Sequence, residues 1–118
     1  MRAKDAVGSY GERVAERHLR EAGLEILARN WRCAEGEIDI VARERDALVI
    51  CEVKTRSSLT FGAPAEAITR KKADKLRRLA YLWLQDHPGG GVDVRFDVVS
   101  VTRQRAGAAV VEHLRGAF

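Results

Sequence analysis

Two short apolar runs that follow each other closely, Glu37–Arg43 and Leu48–Thr55, constrain the fold of this chain more than any other feature. Polar residues separate them, and such a pattern favours a β-hairpin. If the loop holds two residues, Glu44 pairs with Ala47. We therefore predict two neighbouring antiparallel strands at the centre of the chain.

The predicted register puts charged residues in unusual places. Asp39 comes to lie across from Glu52, and Glu37 across from Lys54. Because side chains alternate along a strand, these four residues share one face of the hairpin. The rest of that face is formed by Val41 and Ile50. The opposite face is apolar throughout and consists of Ile38, Ile40, Ala42, Val49, Cys51 and Val53.

Two carboxylates that oppose each other across a strand pair repel, since their Cβ atoms lie only about 4.5–5.5 Å apart. A divalent cation would remove this conflict. Mg²⁺ prefers oxygen ligands and is commonly held by one or two carboxylates together with waters and substrate phosphate. Asp39 and Glu52 are therefore candidate ligands of one ion. Lys54 is a diagonal neighbour of Asp39, close enough to touch a phosphate oxygen, and the whole pattern suits phosphodiester cleavage.

The alternative is a solvated strand edge, on which Glu37 and Lys54 form a surface ion pair of little energetic weight. This reading leaves Asp39 opposite Glu52 unexplained. It also leaves Glu52 as an acid flanked by apolar neighbours, which is uncommon without a partner.

The length of 118 residues fits one domain over residues 1–118 with a single core. Hydrophobic residues make up 46% and charged residues 32%, as expected for a globular protein in solution. We find neither an apolar run of membrane-spanning length nor a signal-peptide core, so we expect no membrane partner and a cytoplasmic location. The net charge of +4 favours a polyanionic partner, with nucleic acid the commonest.

The first helix is predicted over Gly8–Ala22 and ends at Gly23, with Ala15 and Leu19 on its buried stripe. Glu12 belongs to the same stripe. It either interacts with the positive end of the helix dipole or supplies a third carboxylate to the site.

A second helix is predicted from Pro64 to about His87. Lys72 interrupts its apolar stripe, so this lysine either extends to the surface or points into the site. The preceding polar loop, Arg56–Ala63, either closes over a substrate or is an ordinary connection. Trp31, in the strand before the hairpin, is interpreted as a packing residue because one aromatic side chain does not make a base-stacking platform.

Further strands are predicted over 24–32, 92–102 and 108–114. The resulting order is α-β-β-β-α-β-β in an α/β fold. His18, His87 and His113 are too scattered to suggest a histidine metal site, and no Ser/His/Asp spacing stands out.

Several short motifs occur together in this chain. They are Gly11-Glu12, Gly36-Glu-Ile-Asp39, Glu52-Val-Lys-Thr-Arg56, Phe61-Gly62, Lys72, Arg95-Phe-Asp-Val-Val99 and Ala117-Phe118. This set resembles the YraN family of small bacterial proteins, which is generally predicted to be nuclease-like. The Asp…Glu-x-Lys pattern is similar to that of the PD-(D/E)XK superfamily, which includes archaeal Holliday junction resolvases. Ile38 stands where the superfamily name has proline.

The resemblance implies a restriction-endonuclease-like, three-layer α/β/α fold with a mixed sheet. It implies that Asp39 and Glu52 bind Mg²⁺ or Mn²⁺ and that Lys54 orients or activates the attacking water. Glu12 matches an acid of the first helix in resolvase-like members, and Lys72 matches a helix position that lines their site. Lys72 and Arg56, the last residue of the Glu52-Val-Lys-Thr-Arg56 run, are expected to contact substrate.

We therefore expect a metal-dependent endonuclease that hydrolyses DNA phosphodiester bonds, with branched DNA suggested by resemblance alone. Cutting both strands would suit a homodimer, although the sequence shows no dimer seam. The alternative is a nucleic-acid-binding module that keeps the nuclease fold without turnover. A third reading is a partner-binding protein with no role on nucleic acid.

Overall fold

The predicted hairpin is present at the centre of the structure, a computed structural model that describes residues 3–56, 68–88 and 93–118, with side chains from residue 8 onward. Strand β2 (Gly36–Glu44) and strand β3 (Ala47–Arg56) pair antiparallel. Glu44 lies opposite Ala47, as the two-residue loop requires. Arg45, in that loop, has a φ of 55°, a left-handed conformation typical of such tight turns.

Five further elements surround the hairpin, and their order confirms the predicted α-β-β-β-α-β-β arrangement. They are α1 (Ala3–Glu21), β1 (Glu25–Cys33), α2 (Arg70–Asp86), β4 (Asp93–Thr102) and β5 (Val110–Leu114). The sheet has the spatial order β1-β2-β3-β4-β5. Of the four strand pairs within the described residues, β3–β4 is parallel and the other three are antiparallel, so the sheet is mixed. This is the predicted α/β fold of the restriction-endonuclease-like type.

The sheet is covered on both faces, which gives three layers. On one face, Ala15 and Leu19 of α1 pack onto a cluster that includes Val49 and Cys51. On the other face, α2 packs its buried residues onto a second cluster. Those α2 residues are Leu76, Leu79, Ala80 and Trp83. Both faces of β3 are thus buried, which explains its nearly continuous apolar sequence.

Alternation along β2 breaks at Asp39, and here the predicted division of faces is wrong. Ile40 packs on the α1 side, but Ile38 joins Val41 on the α2 side. The irregularity lies opposite Asn30 of β1, which has a left-handed φ of 51° and falls between the pairs Arg29–Ile40 and Trp31–Ile38.

Two element boundaries also differ from the prediction. Helix α1 extends further toward the N-terminus than Gly8. Helix α2 begins at Arg70 rather than at Pro64, because Thr69 is an N-cap in extended conformation whose side chain accepts a hydrogen bond from the N–H of Lys72. The predicted loop, including Phe61-Gly62 and Pro64, and the glycine run 89–91 lie outside the described residues. No helix in the described ranges has the length and apolar character needed to span a membrane.

Asp97 is a fully buried acid that ties the C-terminal segment to the sheet. Its carboxylate accepts two hydrogen bonds from Arg95, at 2.8 and 2.9 Å, and one from the N–H of Gly116 at 3.1 Å. Nε2 of His113 lies 2.8 Å away. Burial would raise the pKa of Asp97, but the hydrogen bonds from His113 and Arg95 lower it to about 2.

We predict that Asp97→Ala destabilises the fold by about 3 kcal/mol, because it leaves a buried charge network without its acceptor. The pKa of Asp97 is lowered in the folded state, so its contribution is complete above about pH 4 and declines as the pH falls toward 2. Urea unfolding at pH 6 and pH 3 should show a smaller loss at the lower pH. Asp93→Ala, at an exposed position of the same strand, should change little.

Gly11 marks the closest approach of α1 to β3. A Cβ atom at this position would overlap the side chain of Thr55, whereas a Cβ at Gly8, in the same helix, would meet nothing within 4 Å. We predict that Gly11→Ala lowers the free energy of unfolding by about 1–3 kcal/mol. Gly8→Ala should instead raise it by up to about 1 kcal/mol through helix propensity. Equal effects in chemical denaturation would contradict this packing.

Candidate functional site

The two strands of the hairpin separate at the end where the predicted site lies. Their paired register extends as far as Ile40 opposite Cys51. One residue further on, Oδ2 of Asp39 accepts a hydrogen bond of 2.8 Å from the N–H of Val53. The Asp39 carboxylate thus lies between the strands, and the carboxyl groups of Asp39 and Glu52 are within hydrogen-bonding reach of each other. We call these two residues the carboxylate pair.

Glu52 is only 7% exposed, and two lysines compensate its charge. Lys54 Nζ lies 3.4 Å and Lys72 Nζ 3.3 Å from the same oxygen, Oε2 of Glu52. One lysine comes from the same strand and the other from α2, which approaches the sheet on this face. Lys72 is thus placed beside Glu52, with 41% of its side chain exposed.

The first turn of α2 holds Lys72 in place. Thr69 Oγ1 accepts a hydrogen bond of 3.1 Å from the N–H of Lys72, which fixes the start of the helix. This turn carries Arg70, Lys71 and Lys72 and no acidic residue. Cations are unfavourable at a helix N-terminus, because the helix dipole is positive there. The site therefore faces a concentration of positive potential.

Asp39 carries the electrostatic conflict of the site. Its pKa is raised to about 7, first by burial and then by the negative charge of Glu52. The hydrogen bond from the Val53 N–H lowers the pKa but does not offset these effects. Near neutral pH, the Asp39 carboxyl group is consequently close to the midpoint of its titration.

Glu12 lies beside the carboxylate pair but has its own partner. Asn30 of β1 donates a hydrogen bond to its carboxylate. Burial raises the pKa of Glu12, the Asn30 hydrogen bond opposes this, and the charge of Glu37 raises it further. Glu12 also raises the pKa of Asp39 through its charge. It therefore acts on the carboxylate pair electrostatically.

The predicted pairing of Glu37 with Lys54 is not found. Glu37 lies opposite Arg32 of β1 and forms a 3.0 Å ion pair with it, while Lys54 turns to Glu52. The cause is the separation of β2 from β3, which leaves the first residues of β2 paired with β1 alone. Arg56 ends β3, and its carbonyl oxygen accepts a hydrogen bond of 2.7 Å from the N–H of Arg103.

The site supplies some of the oxygen ligands that a hard cation needs, but not a complete set. Within residues 3–56, 68–88 and 93–118, no three His, Cys, Asp or Glu side chains group closely enough to hold a metal ion. The carboxylate pair supplies two carboxyl groups, and their repulsion is what a divalent cation would relieve. Mg²⁺ accepts such an incomplete protein set, since it commonly keeps several waters and takes substrate phosphate oxygens.

The sequence reasoning missed two groups of the site. One is the N–H of Val53, which no residue pattern reveals because its role depends on how the strands separate. The other is Thr69, for which a signal existed: threonine directly before a basic helical segment is a typical N-cap.

Comparison of the sequence with known proteins shows to which family the chain belongs. The family described as "Uncharacterised protein family UPF0102" matches residues 11–101. A UPF0102 protein of Beutenbergia cavernae is 63% identical over 116 residues, covering 98% of both chains. UPF0102 proteins of Frankia alni and Streptomyces griseus are 58% and 56% identical, over 100% and 98% of this chain and 98% of each relative. The chain therefore belongs to the UPF0102 family, which is the YraN family that its motifs resemble.

Proposed function

We propose that this protein is a metal-dependent endonuclease that hydrolyses phosphodiester bonds in DNA. The observation that carries the proposal is the carboxylate pair, held together at the open end of the hairpin with Lys54 and Lys72 on one oxygen of Glu52. The family name assigns no activity, so the proposal rests on these four residues and on the PD-(D/E)XK resemblance.

The free-energy cost of holding two carboxylates close together supports a functional role for the carboxylate pair. A fold that needed only stability would not retain two repelling acids, one of which has a pKa of about 7. Strongly perturbed pKa values of this kind concentrate at functional sites. The basic first turn of α2, unfavourable for its own helix, supports the same reading.

The residues divide the proposed chemistry among them. Asp39 and Glu52 would bind Mg²⁺ or Mn²⁺, and such an ion, when bound, polarises a phosphate and lowers the pKa of its water. Lys54 would stabilise the negative charge that develops on the phosphate oxygens. Lys72 would hold the Glu52 carboxylate in position, and Glu12 would tune the charge of Asp39. Arg56 would contact the substrate backbone.

Charge favours nucleic acid as the substrate. The net charge is +4, and the site faces Arg70, Lys71 and Lys72. Such a surface attracts phosphate backbones and makes the affinity dependent on salt. A cytoplasmic location is part of the proposal, and branched DNA extends it by analogy with resolvase-like proteins.

The alternative is a nucleic-acid-binding module that retains the fold without turnover. One observation favours it: both lysines contact Oε2 of Glu52, the oxygen that would otherwise be offered to a cation. A module of this kind would bind DNA without metal and would tolerate the loss of Glu52.

We predict that wild type cleaves labelled DNA in Mg²⁺ or Mn²⁺ and that EDTA abolishes cleavage. Glu52→Gln and Lys54→Ala should each lower the rate by at least about a hundredfold, the usual effect of removing one stabilising group from such a site. A panel of linear, flapped and four-way DNAs would identify the substrate.

Glu25→Gln, at an exposed position of β1, serves as the matched control and should cleave like wild type. If every variant binds DNA as wild type does and none of the proteins cleaves under either metal, the binding module replaces the enzyme.

The raised pKa of Asp39 predicts a pH-dependent stability. Ionising Asp39 costs more in the folded than in the unfolded chain, so this group lowers stability as the pH rises from about 4 to about 7. Metal-free Asp39→Asn should therefore be more stable than wild type at pH 8, with a difference that shrinks toward pH 4. Thermal unfolding measures both values.

Mg²⁺ should raise the Tm of wild type at pH 8 and leave that of Asp39→Asn unchanged. Asp86→Asn, at the exposed end of α2, is the control and should respond to Mg²⁺ as wild type does. An Asp39→Asn protein no more stable than wild type at pH 8 would contradict the proposed repulsion.

A further inference from the structure

A groove runs between the C-terminal half of α2 and strands β1 and β2, on the same face of the sheet as Lys72. Its volume is about 560 Å³, within the ~300–1,000 Å³ typical of small-molecule sites. It is mainly apolar and is lined by Leu27, Ala28, Trp31, Arg43, Leu48, Trp83, Leu84, His87 and Pro88. None of the residues proposed for phosphodiester hydrolysis belongs to this lining.

Three aromatic rings line the groove, Trp31 from β1 and Trp83 and His87 from the end of α2. The His87 ring stacks on Trp83, with ring centroids 3.6 Å apart and planes at 10°. Nδ1 of His87 lies 3.0 Å from the Trp83 carbonyl oxygen, which fixes the ring. Trp31 meets Trp83 edge-on at 5.7 Å. Trp31 therefore packs as predicted, but it also belongs to an aromatic group that the sequence did not reveal.

This arrangement leaves a flat aromatic surface exposed. Trp83 is buried and covers one face of the His87 ring, while the His87 side chain itself is exposed. The second face of the imidazole is thus available to a planar ligand. A nucleobase stacks on such a ring regardless of its sequence identity, because every base has a π face.

The charge of the groove suits a phosphate-bearing ligand. Its lining holds Arg43 and His87 and no acid. Arg43 is exposed and forms no ion pair within the described ranges, whereas the neighbouring Glu44 is engaged by Arg95 and Arg115. An apolar peptide would gain nothing from this cation, but a nucleotide strand would pair its phosphate with it.

The groove lies on the same face of the sheet as the site but nearer the turn between β2 and β3, since Arg43 and Leu48 belong to its lining. Trp31, also in the lining, lies opposite Ile38, the residue that precedes Asp39 on β2. Because His87 follows Lys72 by fifteen residues along α2, about 22 Å at the rise of an α-helix, a strand with one base on His87 would span several nucleotides before its backbone reached the carboxylate pair.

We propose that this groove binds an unpaired nucleobase of the strand whose backbone reaches the carboxylate pair. The inference rests on the proposed function for its nucleic-acid partner and narrows the substrate class. A base that is stacked and paired in an intact duplex cannot enter the groove. The substrate therefore has unpaired nucleotides several positions from the bond that is cut, as in single strands, flaps and frayed junctions.

Intrinsic fluorescence gives a direct test, since the two tryptophans of the chain, Trp31 and Trp83, both line the groove. The probes are a ten-nucleotide oligothymidine and an abasic oligomer of the same length and charge, in EDTA at low salt. We expect oligothymidine to quench the fluorescence and to bind about tenfold more tightly by anisotropy, the usual effect of one base–aromatic stack. The abasic oligomer should bind through charge alone, with little quenching.

His87→Ala should remove the preference for oligothymidine, and its exposed position keeps the fold intact. Tyr81→Ala, which removes an exposed aromatic ring of α2 outside the groove, should preserve the preference. Equal binding of both oligomers by wild type would overturn the groove proposal while leaving the nuclease proposal standing.

Failure to bind either oligomer, together with no cleavage, would overturn both proposals. Concentration-dependent dimerisation that buries the tryptophans would assign the groove to a second copy of the chain and overturn the base-binding role. The fluorescence readout needs neither metal nor turnover, so it separates the two proposals.

Discussion

The repulsion between Asp39 and Glu52 is the constraint on which the rest of the site depends. The two acids meet because the register of the hairpin is fixed at its turn. Their main chains are not paired with each other, because β2 and β3 separate beyond Ile40 and Cys51. The Val53 N–H then binds the Asp39 side chain. Each of these features keeps two negative charges close together in a poorly solvated place.

The two helices act on this pair from opposite faces. Helix α2 contributes Lys72 directly to Glu52, at the cost of three cations in its own first turn. Helix α1 comes close to β3 at Gly11 and Thr55 and carries Glu12 beside Asp39. Glu52 thus has two lysines as ion-pair partners, whereas Asp39 has the negative charges of Glu52 and Glu12 nearby. This asymmetry explains why the pKa of Asp39 is the one that rises.

The sequence predicted what local patterns determine. The turn between β2 and β3 follows from the lengths of the two apolar runs. The strand register that this turn sets is enough to predict that Asp39 and Glu52 lie close together. Lys72 was recognisable as a charge on an apolar stripe. What failed depends on distant parts of the chain: Ile38 changes faces where Asn30 of β1 adopts a left-handed conformation, and Glu37 pairs with Arg32 because β3 separates from β2. The stack of His87 on Trp83, by contrast, could have been anticipated from their spacing of four residues on one helix.

The fully buried Asp97 shows that the fold can satisfy an acid when stability is all that is needed. Asp97 accepts hydrogen bonds from Arg95 and Gly116 and contacts His113, and its pKa falls to about 2. Asp39 has the Val53 N–H as its donor among the described residues and faces a second carboxylate, so its pKa rises to about 7. Both acids lie in strands of the same sheet, and both belong to the motifs on which the YraN resemblance rests. The contrast is best explained if Asp97 is built to hold the fold together and Asp39 is kept unsatisfied for a cationic ligand from outside the chain.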